Sequence, residues 1–162
     1  MPIVSPIPYN PLADGRQSER ALLVRRGVQR MLLQMNAHVL PELSLASGRR
    51  ADLIAITRNA EIWIIEIKSS VEDFRVDRKW PEYRLNSDRF FFATHPEVPA
   101  SIFPEECGFI LSDGYGAEVV RDALADIAHW GADHRRVRER VEAVLTELRV
   151  AALPEHRAAL DL

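Results

Sequence analysis

"RRADLIAITRNAEIWIIEIKSS" (Arg49–Ser70) is the stretch whose reading decides the fold. Two apolar runs, Arg50–Ile56 and Glu61–Ile67, flank the polar turn "TRNA" (Thr57–Ala60), the pattern of a β-hairpin. Both runs are apolar at odd and even positions alike, so both strands are expected at the centre of a sheet covered on each side by helices. Asp52, Glu66 and Lys68 interrupt that pattern. A buried charge costs several kcal/mol unless it is paired, hydrogen-bonded or bound to an ion.

With the turn centred on Asn59, Thr57 faces Glu61, and the constant sum of antiparallel positions sets Asp52 opposite Glu66. Alternation gives Asp52 the face of Ile54 and Ile56, and gives Glu66 the face of Ile64 and Lys68. Cross-strand partners lie about 4.5–5.5 Å apart, where two carboxylates repel each other. A cation between them removes the conflict, and carboxylate, water and phosphate oxygens are the ligands Mg²⁺ takes. Lys68 can then hold a metal-bound water or steady a scissile phosphate. The spacing fits metal-assisted phosphodiester hydrolysis. It fits equally a structural triad in which Lys68 neutralises both acids.

Outward from the hairpin, Gly15–Asn36 is expected as a helix, with Leu22, Leu23, Val28, Met31, Leu32 and Met35 on its buried side. Pro41 ends any helical reading, and "ELSLAS" (Glu42–Ser47) alternates like a strand. After Ser69 come a polar loop and short helices carrying "DRKWPEY" (Asp77–Tyr83), with Pro81 suited to start a turn. "RFFFAT" (Arg89–Thr94) and "GFILSD" (Gly108–Asp113) are strands. "AEVVRDA" (Ala117–Ala123) follows as an edge strand through the Gly114/Gly116 turn. Asp133–Ala152 is an amphipathic helix with Val137, Val141, Val144 and Leu148 on one face, a core stripe or alternatively a dimer seam. The order predicts a mixed α/β layer fold in a single domain over 16–162, preceded by an extended, proline-rich arm over 1–15.

The 162 residues are enough for a substantial core, and 47% hydrophobic with 28% charged residues is ordinary globular composition. No apolar run approaches a membrane span, and the N-terminal stretch does not read as a signal peptide, so a cytoplasmic setting is expected. The lone Cys107 has no internal disulfide partner. Net charge is −3, but it is unevenly spread: Arg16–Arg89 holds 14 basic and 10 acidic residues, Phe90–Leu162 holds 7 and 13. Arg25, Arg26, Arg30, Arg49 and Arg50 could form a phosphate-binding patch or a solvated surface.

An Asp closing one strand and E-x-K on its hairpin partner, after a first helix, resembles the PD-(D/E)xK nuclease superfamily. In this chain Ala51-Asp52 stands at the "PD" and Glu66-Ile67-Lys68 at the second half. Ala51 departs from the nominal Pro. The stretches "RALLVRRGVQRML", "GRRADLIAI", "IIEIKSSVEDFRVDRKWPEY" and "DRFFFAT" together resemble the MmcB-like family of bacterial DNA-repair proteins within that superfamily. The resemblance implies a restriction-endonuclease-like αβββαβ core of mixed sheet with flanking helices. It implies Asp52 and Glu66 as ligands of Mg²⁺ or Mn²⁺, Lys68 as the catalytic lysine, and DNA as the partner, with repair proteins besides. The alternative is a catalytically inactive nuclease-fold module that grips DNA or a repair partner.

Around these, Glu19 and Glu42 are candidates for an additional ligand, each weighed against an ordinary surface ion pair. Asp73 and Asp77 follow the E-x-K strand and could orient Lys68 or a ligand. Arg25, Arg26, Arg49, Arg50 and Lys79 are the candidate phosphate contacts. Trp80 is expected to pack on the sheet, while Tyr83 is open between packing and stacking on a base. The five histidines show no metal-binding spacing.

Overall fold

The structure is a computed structural model, and it describes residues 18–45, 47–124, 138–143 and 146. The expected arm over 1–15 lies outside the described residues, as does most of the expected C-terminal helix. Residues 138–143 of that helix are helical.

Helix α1 spans Glu19–Gln34, and the Ser18 side chain caps it by accepting from the Ala21 N–H. It ends in a Schellman turn: Asn36 takes φ +58, its N–H donates to the Leu33 carbonyl, and the Ala37 N–H donates to the Leu32 carbonyl. Its buried side is Ala21, Val24, Gly27, Val28, Met31 and Leu32. Leu22, Leu23 and Met35, expected inside, are exposed. Gly27 explains the rotation. A Cβ there would lie 2.1 Å from the Ser112 Oγ and 2.5 Å from the Gly116 carbonyl oxygen, so the helix backbone sits directly on the sheet along that line.

Six strands follow in order: β1 (His38–Pro41), β2 (Leu53–Ile56), β3 (Ile62–Ile67), β4 (Arg89–Thr94), β5 (Gly108–Ser112) and β6 (Ala117–Arg121). Each pairs with the next in sequence. The β1–β2, β2–β3 and β5–β6 pairs are antiparallel, while β3–β4 and β4–β5 are parallel. The mixed sheet with flanking helices is the expected architecture. Among the described residues the expected strand Glu42–Ser47 is reduced to an isolated Ser44–Arg50 bridge. The first strand is His38–Pro41, and the arms after it are joined by backbone hydrogen bonds from Glu42 to Asp52, Ala51 to Leu43 and Leu45 to Arg49. Pro41 is tolerated because it is the last residue of an edge strand, where no ladder donor is needed. Glu42 then turns the chain with φ +55.

Helices α2 (Val71–Val76) and α3 (Trp80–Leu85) and a 3₁₀ turn (Ala100–Ile102) supply the two parallel crossovers. Helix α1 covers one face of the sheet, against Leu53, Ala55, Trp63, Ile65, Phe91 and Ile110. Helices α2 and α3, the 3₁₀ turn and Val141 cover the other, against Ile54, Ile62, Ile64, Phe90, Phe92 and Phe109. Trp80 stacks on Phe90 and meets Phe92 edge-on, as its packing role required. Each large apolar side chain fully buried here contributes about 1.5–3 kcal/mol. β3 is buried at all six positions, which puts Glu66 inside the protein rather than on a rim.

Candidate active site

The hairpin register is the one the turn demands: Leu53 pairs with Ile65 and Ile54 with Ile64, so the next position brings Asp52 beside Glu66. β2 begins only at Leu53, and side chains take over where the ladder stops. The Asp52 N–H donates to Glu66 Oε1 at 3.1 Å, and the Ile67 N–H donates to Asp52 Oδ2 at 2.9 Å. Each carboxylate thus satisfies a backbone donor at the other's strand. This reciprocal clamp fixes both acids on the face that α2 and α3 cover.

Glu66 and Lys68 are each only 6% exposed. Lys68 is set by its main chain, whose N–H donates to the Ala93 carbonyl while its own carbonyl accepts from the Thr94 hydroxyl. Its ammonium lies 2.6 Å from Asp77 Oδ2. Asp77 sits just past α2 and is the acid that orients Lys68. Asp73 instead accepts from the Ser69 N–H and hydroxyl. The His95 ring ties the next strand end to the Ser69 carbonyl at 2.8 Å.

Burial raises the Asp52 carboxyl above its ordinary range, against the opposing pull of the Ile67 N–H and Lys68. Glu66 is pushed well above its range by burial first and the Asp52 charge second. Burial alone would lower Lys68, but the hydrogen bond and charge of Asp77, aided by Glu66 and Asp73, raise it. Lys68 therefore stays an ammonium amid a surplus of carboxylates. The Tyr83 hydroxyl is raised by burial and by the charges of Glu66, Asp52 and Asp77.

The other candidates separate. Glu19 is exposed on α1, across the sheet from Glu66, and Glu42 pairs with Arg25 at 3.6 Å. Neither joins the clamp, and among the described residues no group of three His, Cys, Asp or Glu side chains converges. Glu19 is kept away because α1 covers the opposite face, and the Glu42 side chain is taken by Arg25 although its N–H donates to the Asp52 carbonyl. Arg49 is engaged with Glu82. Tyr83 is 5% exposed, with its ring stacked on Phe90 and its hydroxyl donating to the Arg50 carbonyl at 3.0 Å, so it packs rather than stacks on a base. Arg26, Arg50 and Lys79 are exposed. Burial pushes the Cys107 thiol up to about 11, which removes it as a nucleophile. Two concavities of about 340 and 320 Å³ lie elsewhere, one lined by His38 and Arg138, the other by Arg20 and His95.

The family model described as DNA repair protein MmcB-like matches residues 8–137. The chain belongs to the MmcB-like DNA repair protein family. Membership associates it with DNA repair. The structure of a protein of unknown function from Silicibacter pomeroyi is similar to this MmcB-like chain at 34% identity and a TM-score of 0.72, over 84% of this chain and 92% of that one. None of the curated proteins compared matches it. No helix among its described residues is long and apolar enough to cross a membrane.

The donor set of the clamp fits a divalent ion. Both acids present hard carboxylate oxygens on one face, and Mg²⁺ is commonly held by one or two carboxylates, with water and phosphate oxygens completing the octahedron. Arg75 and Arg78, which the sequence reading did not single out, are exposed on the segment that carries Asp77.

Proposed function

We propose that this MmcB-like chain is a Mg²⁺- or Mn²⁺-dependent phosphodiester hydrolase acting on DNA, of PD-(D/E)xK type. The observation that carries the reading is the clamp: two carboxylates are held side by side on a buried face, with an ammonium two residues along. Asp52 and Glu66 would hold the ion. When bound, the ion supplies Lewis acidity and a more acidic water. Lys68 keeps its proton and offers a fixed positive charge to a phosphoryl oxygen, where charge grows during displacement. Asp77 aims that ammonium, and the burial of Lys68 and Glu66 limits water around it.

The test is cleavage of labelled single- and double-stranded DNA with Mg²⁺ or Mn²⁺. Asp52→Asn keeps an acceptor for the Ile67 N–H and should abolish cleavage without unfolding the protein. Cleavage that persists undiminished in Asp52→Asn removes the clamp from the mechanism.

One observation favours a second reading, a DNA-binding module without turnover. The 2.6 Å Lys68–Asp77 pair already neutralises the ammonium that hydrolysis would employ. That reading expects salt-sensitive DNA binding and no product with any divalent ion.

A further inference from the structure

Several arginines of the basic half are held in ion pairs. Arg20 pairs with Glu97, Arg25 with Glu42, Arg49 with Glu82, Arg84 with Glu106, and Arg89 with Glu61 and Asp122. Arg75, Arg78 and Lys79 are exposed, and no ion pair engages them among the described residues. All three fall within five residues, around Asp77. The Asp77 side chain is itself 9% exposed and turned inward onto Lys68. Three outward cations are therefore fastened by one inward ion pair to the face that holds Asp52 and Glu66. Two residues of chain span at most about 7 Å, so none of the three backbones is farther than that from Asp77.

We infer that the segment Arg75–Lys79 is the DNA-backbone contact of this protein, with Arg75, Arg78 and Lys79 each taking a phosphate. The substrate class rests on the DNA reading above. Charge complementarity sets the partner. A polyphosphate strand presents repeated single charges to a row of cations whose own acid, Asp77, is turned inward onto Lys68, and arginine matches phosphate oxygens with a rigid fork. Val76, 76% exposed between the cations, adds an apolar contact beside them, suited to the sugars of the same strand. Lys79 was already among the phosphate contacts the sequence nominated, whereas two other nominees, Arg25 and Arg49, would first have to release Glu42 and Glu82. Arg26 lies on α1, over the opposite face of the sheet.

The experiment is fluorescence anisotropy with labelled DNA in EDTA across a salt series, so that binding is read without cleavage. The full chain is compared with a triple variant, Arg75→Gln, Arg78→Gln and Lys79→Gln. The substitutions are on exposed side chains, and unchanged melting verifies the fold. Affinity should fall at least about 10-fold at low salt, and the salt slope should shrink by about 3. The charge-conserving variant Arg75→Lys, Arg78→Lys, Lys79→Arg should keep the slope, and Arg26→Gln should bind as the parent does. Equal affinity and slope in the triple Gln variant overturns the inference, as does a parent that binds no DNA or a loss confined to Arg26→Gln. Segment-dependent binding without cleavage under any metal defeats the hydrolase reading alone and leaves this one standing.

Discussion

Replacing Glu66 by Gln should make the metal-free protein more stable at neutral and alkaline pH. The carboxylate is 6% exposed and sits beside Asp52 just past the end of the ladder. At the roughly 5 Å of cross-strand neighbours, two unit charges repel by about 3 kcal/mol at an effective dielectric of about 20. Gln removes this repulsion and keeps an oxygen that can accept from the Asp52 N–H. It also forfeits the attraction of Lys68, which Asp77 dominates. The net gain is about 1–2 kcal/mol, or about 2–8 °C in Tm for a domain of this size. The pH dependence has a definite sign. Glu66 titrates above its ordinary 4.5 because burial and Asp52 disfavour the charge, so the folded state binds the proton more tightly than the unfolded chain. Stability of the parent therefore falls as pH rises from about 4.5 through the raised folded value. The Gln variant lacks that slope, so its advantage should open with rising pH and close below about 4.5. Thermal melts of both proteins across a series from about pH 4 to about pH 9 test this. A variant that melts below the parent at pH 8, or a difference independent of pH, would refute the reasoning. Mn²⁺ should raise the Tm of the parent and leave the variant unmoved.

Two other substitutions probe the frame around the site. Gly27→Ala drives a methyl into the Ser112 hydroxyl and the Gly116 carbonyl, and should destabilise by about 1–3 kcal/mol in denaturant melts despite the better helix former. Tyr83→Phe removes the donor to the Arg50 carbonyl and should cost about 1 kcal/mol. Because the ring is inside, DNA affinity should be unchanged in the same anisotropy titration.

What could be read from the chain was whatever a short segment determines. A polar turn between two apolar runs fixes a hairpin, and the hairpin fixes its own register, so Asp52 and Glu66 were placed side by side without knowledge of the rest. The first strand was misread because His38–Pro41 has no strong alternation and ends in proline, while Glu42–Ser47 alternates but pairs only briefly, around the Ser44–Arg50 bridge. Only the position at the sheet edge tells them apart. The buried side of α1 depends on how closely Gly27 approaches β5 and β6, a contact with residues more than eighty positions away. The ion pairs behave likewise. Arg49 with Glu82 and Lys68 with Asp77 join separate elements, so no local spacing revealed which basic side chains were already taken.

The place of the two acids within the hairpin bears on how the molecule is made. Thr57 and Glu61 close the loop, and four apolar pairs, Ile56–Ile62 through Leu53–Ile65, follow before the carboxylates meet at the mouth. Zipping from the loop outward wins its hydrophobic reward first and encounters the like charges last. A nucleus formed at the closed end would be indifferent to the tension at the open end, which would then hasten unfolding rather than slow folding. Repulsive chemistry kept at the tip of a ladder leaves the search for the native state unhindered.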